Sequence, residues 1–230
     1  MFNAEIAEHV ITIDNKYDYI RDYFSGYITD KPSDFTVCVS DEEIAAENTD
    51  DLDWSSAYLE TLAIYRKICE KLLDNDLILF HSSALSIDGQ AVLFTAPSGT
   101  GKSTHARLWR EHFGDRVTMV NDDKPLLKIA DDITVYGTPY GGKDNLQTNT
   151  SAPVKAVVIL YQAKENTVRR LSANEAYPTL LSQTYRVSSI EGMTKTMPLV
   201  GKLSHIPVYS LGCNISYDAV ELIYNEIFKA

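Results

Sequence analysis

The feature that most limits what this chain can fold into is the segment FTAPSGTGKSTHARLWREHF at residues 94 to 113. It reads as a β-strand that runs into a glycine-containing loop and continues as a helix with an apolar stripe. Residues 96–103, APSGTGKS, have the spacing of a Walker A phosphate-binding loop, with Ala96 in place of the first glycine. Because a strand precedes this Gly-rich loop and a helix follows it, we predict a unit that binds the phosphates of a nucleotide.

The geometry expected of the Gly-rich loop explains why it would hold phosphate. Gly99 and Gly101 let the backbone curl so that successive N–H groups point inward, and the N-terminus of the helix adds partial positive charge. Lys102 would reach the β and γ phosphates, and the hydroxyl of Ser103 would ligate Mg²⁺. The candidate nucleotide-binding residues are Ser98, Gly99, Thr100, Gly101, Lys102, Ser103 and Thr104.

Two carboxylates follow the next predicted strand. We expect the helix at 102 to 113 to lead to a parallel strand, RVTMV, directly beside the strand that precedes the loop. Asp122 and Asp123 end that strand, and ligands of open α/β sheets bind at the carboxyl ends of the strands. One carboxylate would bind Mg²⁺ and the other would accept the proton of an attacking hydroxyl. The sequence leaves open which residue has which role.

A predicted hairpin brings one histidine near the loop. The runs LILFHSSALSI and QAVLFT flank an Asp-Gly pair at 88 to 89, which favours a two-residue turn. That turn sets a register in which His81 lies opposite Ala96, at the mouth of the Gly-rich loop. We therefore predict that His81 contacts the γ-phosphate or the acceptor.

Other basic residues are weaker candidates. Residues 137 to 149, GTPYGGKDNLQTN, form a glycine-containing stretch in which mobile Lys143 would close over the transferred phosphoryl group, although an ordinary surface loop explains the stretch equally well. Arg186 is a candidate clamp for substrate or phosphate. Arg107 and Arg110 lie farther along the helix and are expected to be solvated or to flank the core.

The rest of the sequence predicts an α/β protein with a mixed sheet. Strands are predicted at HVITI and DFTVCVS, and an amphipathic helix at residues 55 to 73. Beyond the loop, predicted strands and helices are interspersed to the end of the chain. We expect N-terminal strands and a helix (1–75) to pack on a nucleotide-binding core (76–230), the two together forming one compact unit.

Composition and charge limit the partners. The net charge of −11 opposes sequence-independent binding to nucleic acid, which depends on Lys and Arg contacts with phosphates. The longest strongly apolar run, AVVILY, is too short to cross a bilayer and the N-terminus does not read as a signal peptide, so we predict a cytoplasmic protein without a membrane partner. The scattered Cys38, Cys69 and Cys213 are predicted to be reduced core thiols. The acidic run at 41 to 53 is interpreted as a solvated loop or helix face.

The segment LFHSSALSIDGQAVLFTAPSGTGKST, followed by VNDDKPLL, resembles the catalytic core of HPr kinase/phosphorylase and its stand-alone relatives, which share a nucleotide-binding core with phosphoenolpyruvate carboxykinase. The shared features are a histidine before an antiparallel hairpin, the Walker A loop and the Asp-Asp pair. The resemblance covers residues 77 to 128 and implies a mixed-sheet P-loop kinase core. It implies transfer of a phosphoryl group from ATP, with Mg²⁺, to a serine-like hydroxyl of a protein, peptide or small molecule. The residues that take the family's site roles are His81, Lys102, Ser103, Asp122 and Asp123.

Two departures from this family favour a stand-alone kinase with an acceptor other than HPr. Thr104 stands where the bifunctional enzymes commonly carry an acidic residue, and no copy of their downstream signature loop is found. The acceptor, phosphorolysis and the oligomeric state stay open, although the parent enzymes assemble. The competing hypothesis is a non-catalytic module in which nucleotide binding orders the 137–149 segment without phosphoryl transfer.

Overall fold

A computed structural model describes residues 1–49 and 52–229 and contains two β-sheets with surrounding helices. The N-terminal sheet consists of β1 (Phe2–Ile6), β2 (His9–Asp14) and β3 (Phe35–Cys38), in that order. The first two strands pair antiparallel, and β2 and β3 pair parallel. The two predicted N-terminal strands are confirmed, and β1 is an addition to them.

The second sheet has nine strands of mixed orientation. They are β4 (Leu77–Leu79), β5 (Ser83–Ile87), β6 (Gln90–Thr95), β7 (Val117–Asn121), β8 (Leu126–Ile129), β9 (Ile133–Tyr136), β10 (Ser151–Gln162), β11 (Thr167–Leu171) and β12 (Val208–Cys213). Their order is β4–β8–β9–β10–β6–β5–β7, and β12 pairs with both β10 and β11. The long strand β10 pairs antiparallel with β9 at its start and parallel with β6 and β12 farther along. The predicted mixed-sheet α/β class is confirmed at this level.

Seven α-helices accompany the sheets in the described part of the chain. They are α1 (Tyr19–Tyr23), α2 (Asp41–Ala45), α3 (Ser56–Leu72), α4 (Lys102–Phe113), α5 (Ala173–Gln183), α6 (Ile190–Leu203) and α7 (Tyr217–Phe228). The boundaries predicted for α4 are confirmed. The exposed helix α2 begins the acidic run, of which residues 50 and 51 lie outside the described residues. No helix among the described residues is long and apolar enough to cross a membrane.

One predicted neighbour relationship is wrong. We expected β7 to lie beside β6, but β5 lies between them and pairs antiparallel with both. Two antiparallel steps restore the direction, so β7 is still parallel to β6. The reason is that the hairpin partner already occupies the edge of β6 that β7 would need. The predicted hairpin register is confirmed, with Ser83 paired to Phe94 and Leu85 to Val92.

Buried side chains connect the N-terminal sheet with the second sheet. One apolar cluster joins residues of β2 and α3 with Leu77, Leu126 and Tyr140 from beyond residue 75. The ring of Tyr140 stacks on Tyr65 at 3.8 Å between centroids, and its hydroxyl donates to the carbonyl oxygen of Thr61 at 2.6 Å. These contacts attach the 137–149 segment to α3. The division of the chain at residue 75 stays a prediction.

The three cysteines are free, but they are not all core thiols as predicted. Cys69 is buried, Cys213 is half-buried and Cys38 is exposed. Successive residues of a strand face opposite sides, so Cys38 faces solvent because its neighbour Val37 faces the core.

Candidate functional site

Most of the residues predicted to bind nucleotide and metal line one open cavity, the main cleft. It has a volume of about 480 Å³. The Gly-rich loop, the first turn of α4, the turn after β7 and residues 142–144 form its walls. The structure thus brings together His81, Lys102, Asp122 and Asp123 with Ser98, Gly99, Gly101, Ser103 and Thr104. Thr100 is not among the lining residues of this cleft.

The backbone of the Gly-rich loop has conformations that suit glycine. Gly99 has φ +78° and Gly101 has φ +116°, values that residues with a side chain rarely adopt. The carbonyl of Gly101 accepts a hydrogen bond from the N–H of His105 at 2.9 Å, so α4 starts directly after it. The first N–H groups of the helix have no partner within it, and they belong to Lys102 and Ser103, which line the cleft. Such a terminus favours an anion.

Lys102 is buried although it carries a charge, with 8% of its surface exposed. Its Nζ donates to the carbonyl oxygen of Ala96 at 3.0 Å, so the side chain folds back over its own loop. Burial lowers the pKa of Lys102, and the charges of Asp123 and Asp122 oppose that shift. No carboxylate lies within 4.0 Å of its Nζ in the described residues.

Asp122 is a buried carboxylate whose Oδ1 has no hydrogen-bond partner in the described residues. Burial raises the pKa of Asp122, while the nearby hydroxyls of Ser83 and Ser103 oppose the shift. Neither hydroxyl donates a hydrogen bond to Oδ1 of Asp122, and Oγ of Ser83 is itself buried without a partner. The charge of Asp144 adds to the raised pKa. A buried carboxylate oxygen without a partner destabilises the fold unless a cation binds it or a donor forms a hydrogen bond with it.

Asp123 has partners on both carboxylate oxygens. Its Oδ1 lies 3.2 Å from Nε2 of His81, and its Oδ2 lies 3.2 Å from Nζ of Lys124. Burial alone would raise the pKa of Asp123, but the hydrogen bond with His81 and the charge of Lys124 outweigh it and lower the pKa. Nδ1 of His81 lies 3.1 Å from Oε1 of Gln183, so the ring is held from two sides.

A buried asparagine shapes the turn that presents both aspartates. Oδ1 of Asn121 accepts hydrogen bonds from the N–H groups of Asp123 at 2.9 Å and Lys124 at 2.8 Å. Its Nδ2 donates to the carbonyl and hydroxyl oxygens of Thr138. The side chain replaces strand pairing where β7 ends, as is typical of an Asx turn. Asn121 therefore fixes the positions of its two acidic neighbours.

The 137–149 segment forms the remaining wall of the cleft. Lys143 and Asp144 both line it, and Gly142, with φ +80°, lies so that an added Cβ would be 3.5 Å from Cβ of Asp123. An added Cβ on Gly141 would lie 2.0 Å from the side-chain oxygen of Gln147. The positive φ accounts for Gly142, and the close approach of the Gln147 side chain accounts for Gly141. The lid role of Lys143 stays a prediction.

Sequence reasoning missed three residues of the site: Asn121, Gln183 and Asp144. Asn121 precedes the predicted Asp122, and Asp144 follows the predicted Lys143. Their polar side chains next to predicted site residues were the signal that could have identified them. Gln183 ends α5 and had no such signal, since only the folded chain brings it to His81. Arg186, three residues later, is exposed and is not among the residues that line the main cleft.

Two arginines of α4 have the surroundings that the sequence predicts, since Arg107 is exposed and Arg110 is half-buried. Arg107 and Arg110 line a smaller cavity of about 280 Å³ that shares Ser103 and Asp122 with the main cleft. Arg107 also pairs with Glu111 at 2.8 Å. The position of this cavity beside the main cleft was not predicted.

The two histidines of α4 make contacts within the fold. Nε2 of His105 accepts a hydrogen bond from Nε1 of Trp109 at 3.1 Å, and burial lowers the pKa of His105 to about 4. Nε2 of His112 lies 3.4 Å from Glu221. Within residues 1–49 and 52–229, no group of three or more His, Cys, Asp or Glu residues is arranged to hold a metal ion. A cation in the main cleft would therefore need oxygen ligands from water or substrate as well.

Comparisons with known proteins give a family and a distant likeness to solved structures. A family model described as "SynChlorMet cassette protein ScmC" matches residues 43–223. No curated protein matches the chain. Among solved structures, the Hpr(Ser) kinase/phosphatase from Coxiella burnetii is similar with a TM-score of 0.38 and 13% identity, over 66% of this chain and 88% of that chain.

Proposed function

This chain belongs to the family described as SynChlorMet cassette protein ScmC, and we propose that it is an ATP-dependent P-loop kinase that phosphorylates a serine-like hydroxyl on a peptide, protein or small molecule. The observation that carries the proposal is the meeting of the Gly-rich loop with His81, Asp122 and Asp123 around one cleft of about 480 Å³. Phosphoryl transfer needs positioning and charge stabilisation more than covalent chemistry, and these groups supply both.

The loop and helix fit the polyphosphate of ATP. The positive φ angles of Gly99 and Gly101 bend the backbone at the start of α4, where unpaired N–H groups attract an anion. Lys102 would exchange its hydrogen bond with Ala96 for contacts with the β and γ phosphates. Because burial destabilises the charged form of Lys102, the arrival of phosphate would stabilise it.

The acidic side fits Mg²⁺. The buried Oδ1 of Asp122 has no donor in the described residues, and Ser103 lines the same cleft, so carboxylate and hydroxyl oxygens are available to a hard cation. We assign Asp122 and Ser103 to hold Mg²⁺, with phosphate oxygens and water as the other ligands. Bound there, Mg²⁺ would offset negative charge on the phosphoryl oxygens.

Asp123 is the proposed acceptor of the hydroxyl proton. Its contacts with His81 and Lys124 keep it ionised, and they fix its position beside Lys102 in the cleft. An ionised carboxylate orients the hydroxyl by accepting its hydrogen bond and receives the proton as the new phosphate ester forms. His81 is proposed to hold Asp123 and, from the same ring, to face the γ-phosphate or the acceptor.

The test compares Asp122→Asn with Asp123→Asn, using radiolabelled ATP, Mg²⁺ and a panel of serine-containing peptides and serine analogues. We expect both changes to abolish transfer, with Asp123→Asn still binding Mg·ATP and Asp122→Asn losing the dependence of ATP binding on Mg²⁺. Asp131→Asn, an exposed turn residue, is the control. Transfer that survives both changes would refute the assignments. Tight binding of Mg·ATP by the wild-type protein without turnover on the whole panel would favour the non-catalytic module.

A further inference from the structure

A third cavity, the side cavity, lies on the other side of the Gly-rich loop from Asp122. It has a volume of about 420 Å³ and is lined by the loop, by Thr104 and Leu108 of α4, and by the residues that end β10 and β12. The strand β6 leads into the loop and has β5 and β7 on one side and β10 and β12 on the other. The main cleft and the side cavity therefore flank the same loop from opposite directions.

The linings of the two cavities differ in charge. The main cleft contains Lys102, Asp122, Asp123, Lys143 and Asp144. The side cavity contains no Asp, Glu, Lys or Arg among its described lining residues, in a protein with 23% charged residues. Its one titratable ring, His105, is kept neutral by burial, which lowers its pKa to about 4. An uncharged cavity suits a neutral group, whereas the main cleft suits phosphate and metal.

An exposed apolar side chain also lines the side cavity. Ile215 lines the cavity with 76% of its surface exposed. Its neighbour Asn214 is fixed by hydrogen bonds from its N–H to Asn166 and from Nδ2 to the carbonyl of Lys164. Oδ1 of Asn214 also accepts from Ser216 at 2.6 Å. The exposed side chain thus stands on an ordered turn, where a flat ring placed against it would remove apolar surface from water.

The side-chain amide of Gln162 also lines the side cavity. Nε2 of Gln162 donates to the carbonyl of Thr100 at 3.2 Å, which ties the Gly-rich loop to the end of β10. Oε1 of Gln162 accepts no hydrogen bond in the described residues. Gln162 is exposed, so this oxygen is open to the exocyclic amino group of a purine.

The main cleft and the side cavity share part of their lining. Gly99, Gly101 and Thr104 line both of them. We propose that the side cavity binds the purine base of the nucleoside triphosphate whose phosphates occupy the main cleft, with the ring against Ile215 and its amino group on Gln162. The inference rests on the proposed function and deepens it, because it names the residues that would bind the base of the phosphoryl donor.

The first experiment measures binding of Mg·ATP and of Mg·tripolyphosphate, which has no base, by calorimetry. Ile215→Ala is expected to weaken ATP binding roughly fivefold, because it removes apolar contact with the ring, and to leave tripolyphosphate binding unchanged. Ile190→Ala is the matched control, since Ile190 is 89% exposed and does not line the cavity. Unchanged ATP affinity in Ile215→Ala, or an equal loss for both ligands, would overturn the inference.

The second experiment uses the half-buried thiol of Cys213, which lines the side cavity. A Cys38→Ser background removes the exposed thiol, and Cys69 is buried. ATP is expected to slow alkylation of Cys213 several-fold more than tripolyphosphate does. Equal binding of both ligands without selective protection would refute the base site and leave the phosphate site intact. Failure of both ligands to bind the wild-type protein would refute the proposed function as well.

Discussion

Nε2 of His81 lies 3.2 Å from Oδ1 of Asp123, while Nδ1 of the same ring lies 3.1 Å from Oε1 of Gln183. The ring therefore links the turn after β7 to the end of α5. The two contacts together restrain rotation of the imidazole. The orientation of Asp123 therefore depends on Gln183 of α5, which is 60 residues farther along the chain. Lys124 completes the surroundings of the carboxylate at 3.2 Å from Oδ2.

These contacts predict a specific dependence of stability on pH. The pKa of Asp123 is lower in the folded protein than in the unfolded chain, so its stabilising contribution is present above about pH 4 and is lost as the pH falls through the folded pKa. Asp123→Asn lacks this contribution at every pH. Urea unfolding at pH 5 and pH 3 should therefore show a smaller loss of unfolding free energy for Asp123→Asn than for the wild type. Parallel losses in the two proteins would contradict the prediction.

Asp122 should behave in the opposite way. Burial raises its pKa in the folded state, so the ionised form destabilises the fold at neutral pH and protonation relieves this as the pH falls. We expect Asp122→Asn to raise the free energy of unfolding at pH 7 by about 1 kcal/mol in the absence of nucleotide and metal. Urea unfolding at pH 7 measures the change, with Asp131→Asn as the exposed control. A loss of stability in Asp122→Asn would show that the unpartnered Oδ1 is not a cost.

Lys102 should matter for transfer far more than for folding. Methionine is similar in length and lacks the charge, so Lys102→Met keeps the packing of a side chain that is 8% exposed. Loss of the positive donor to the phosphates is expected to reduce the rate of transfer at least about 100-fold. Arg107→Met, an exposed cation on the same helix, serves as the control in the same assay. Transfer by Lys102→Met within tenfold of the wild type would be incompatible with the proposed role.

Asn121 should be the polar residue on which the acidic turn depends. Asn121→Ala removes the acceptor of two half-buried backbone N–H groups and the buried donor to Thr138, and should cost about 2 kcal/mol of unfolding free energy. Asn149→Ala, an exposed position with hydrogen bonds of 3.4 and 3.5 Å, should change stability by less than about 0.5 kcal/mol. Similar values for the two variants in urea unfolding would exclude this role for Asn121.

The parts of the site that the sequence predicts are those that depend on local rules. Glycines on both sides limit α4 to the predicted residues, and the turn after Ile87 sets the register that brings His81 to the loop. The order of strands is a property of the whole sheet, so β7 was expected one place too close to β6. For the same reason the contact of His81 with Gln183, which spans 102 residues, was not predicted.

The contacts of Tyr140 have a consequence for how the protein is produced. A fragment starting at residue 76 would lack both Tyr65, on which this ring stacks, and Thr61, which accepts its hydroxyl. It would carry a bare aromatic ring three positions before Lys143, together with the uncovered side chains of Leu77 and Leu126. Such a fragment should self-associate in solution and display a distorted wall next to its acidic turn, so inactivity of a truncated preparation would reflect lost support and not the absence of catalytic groups.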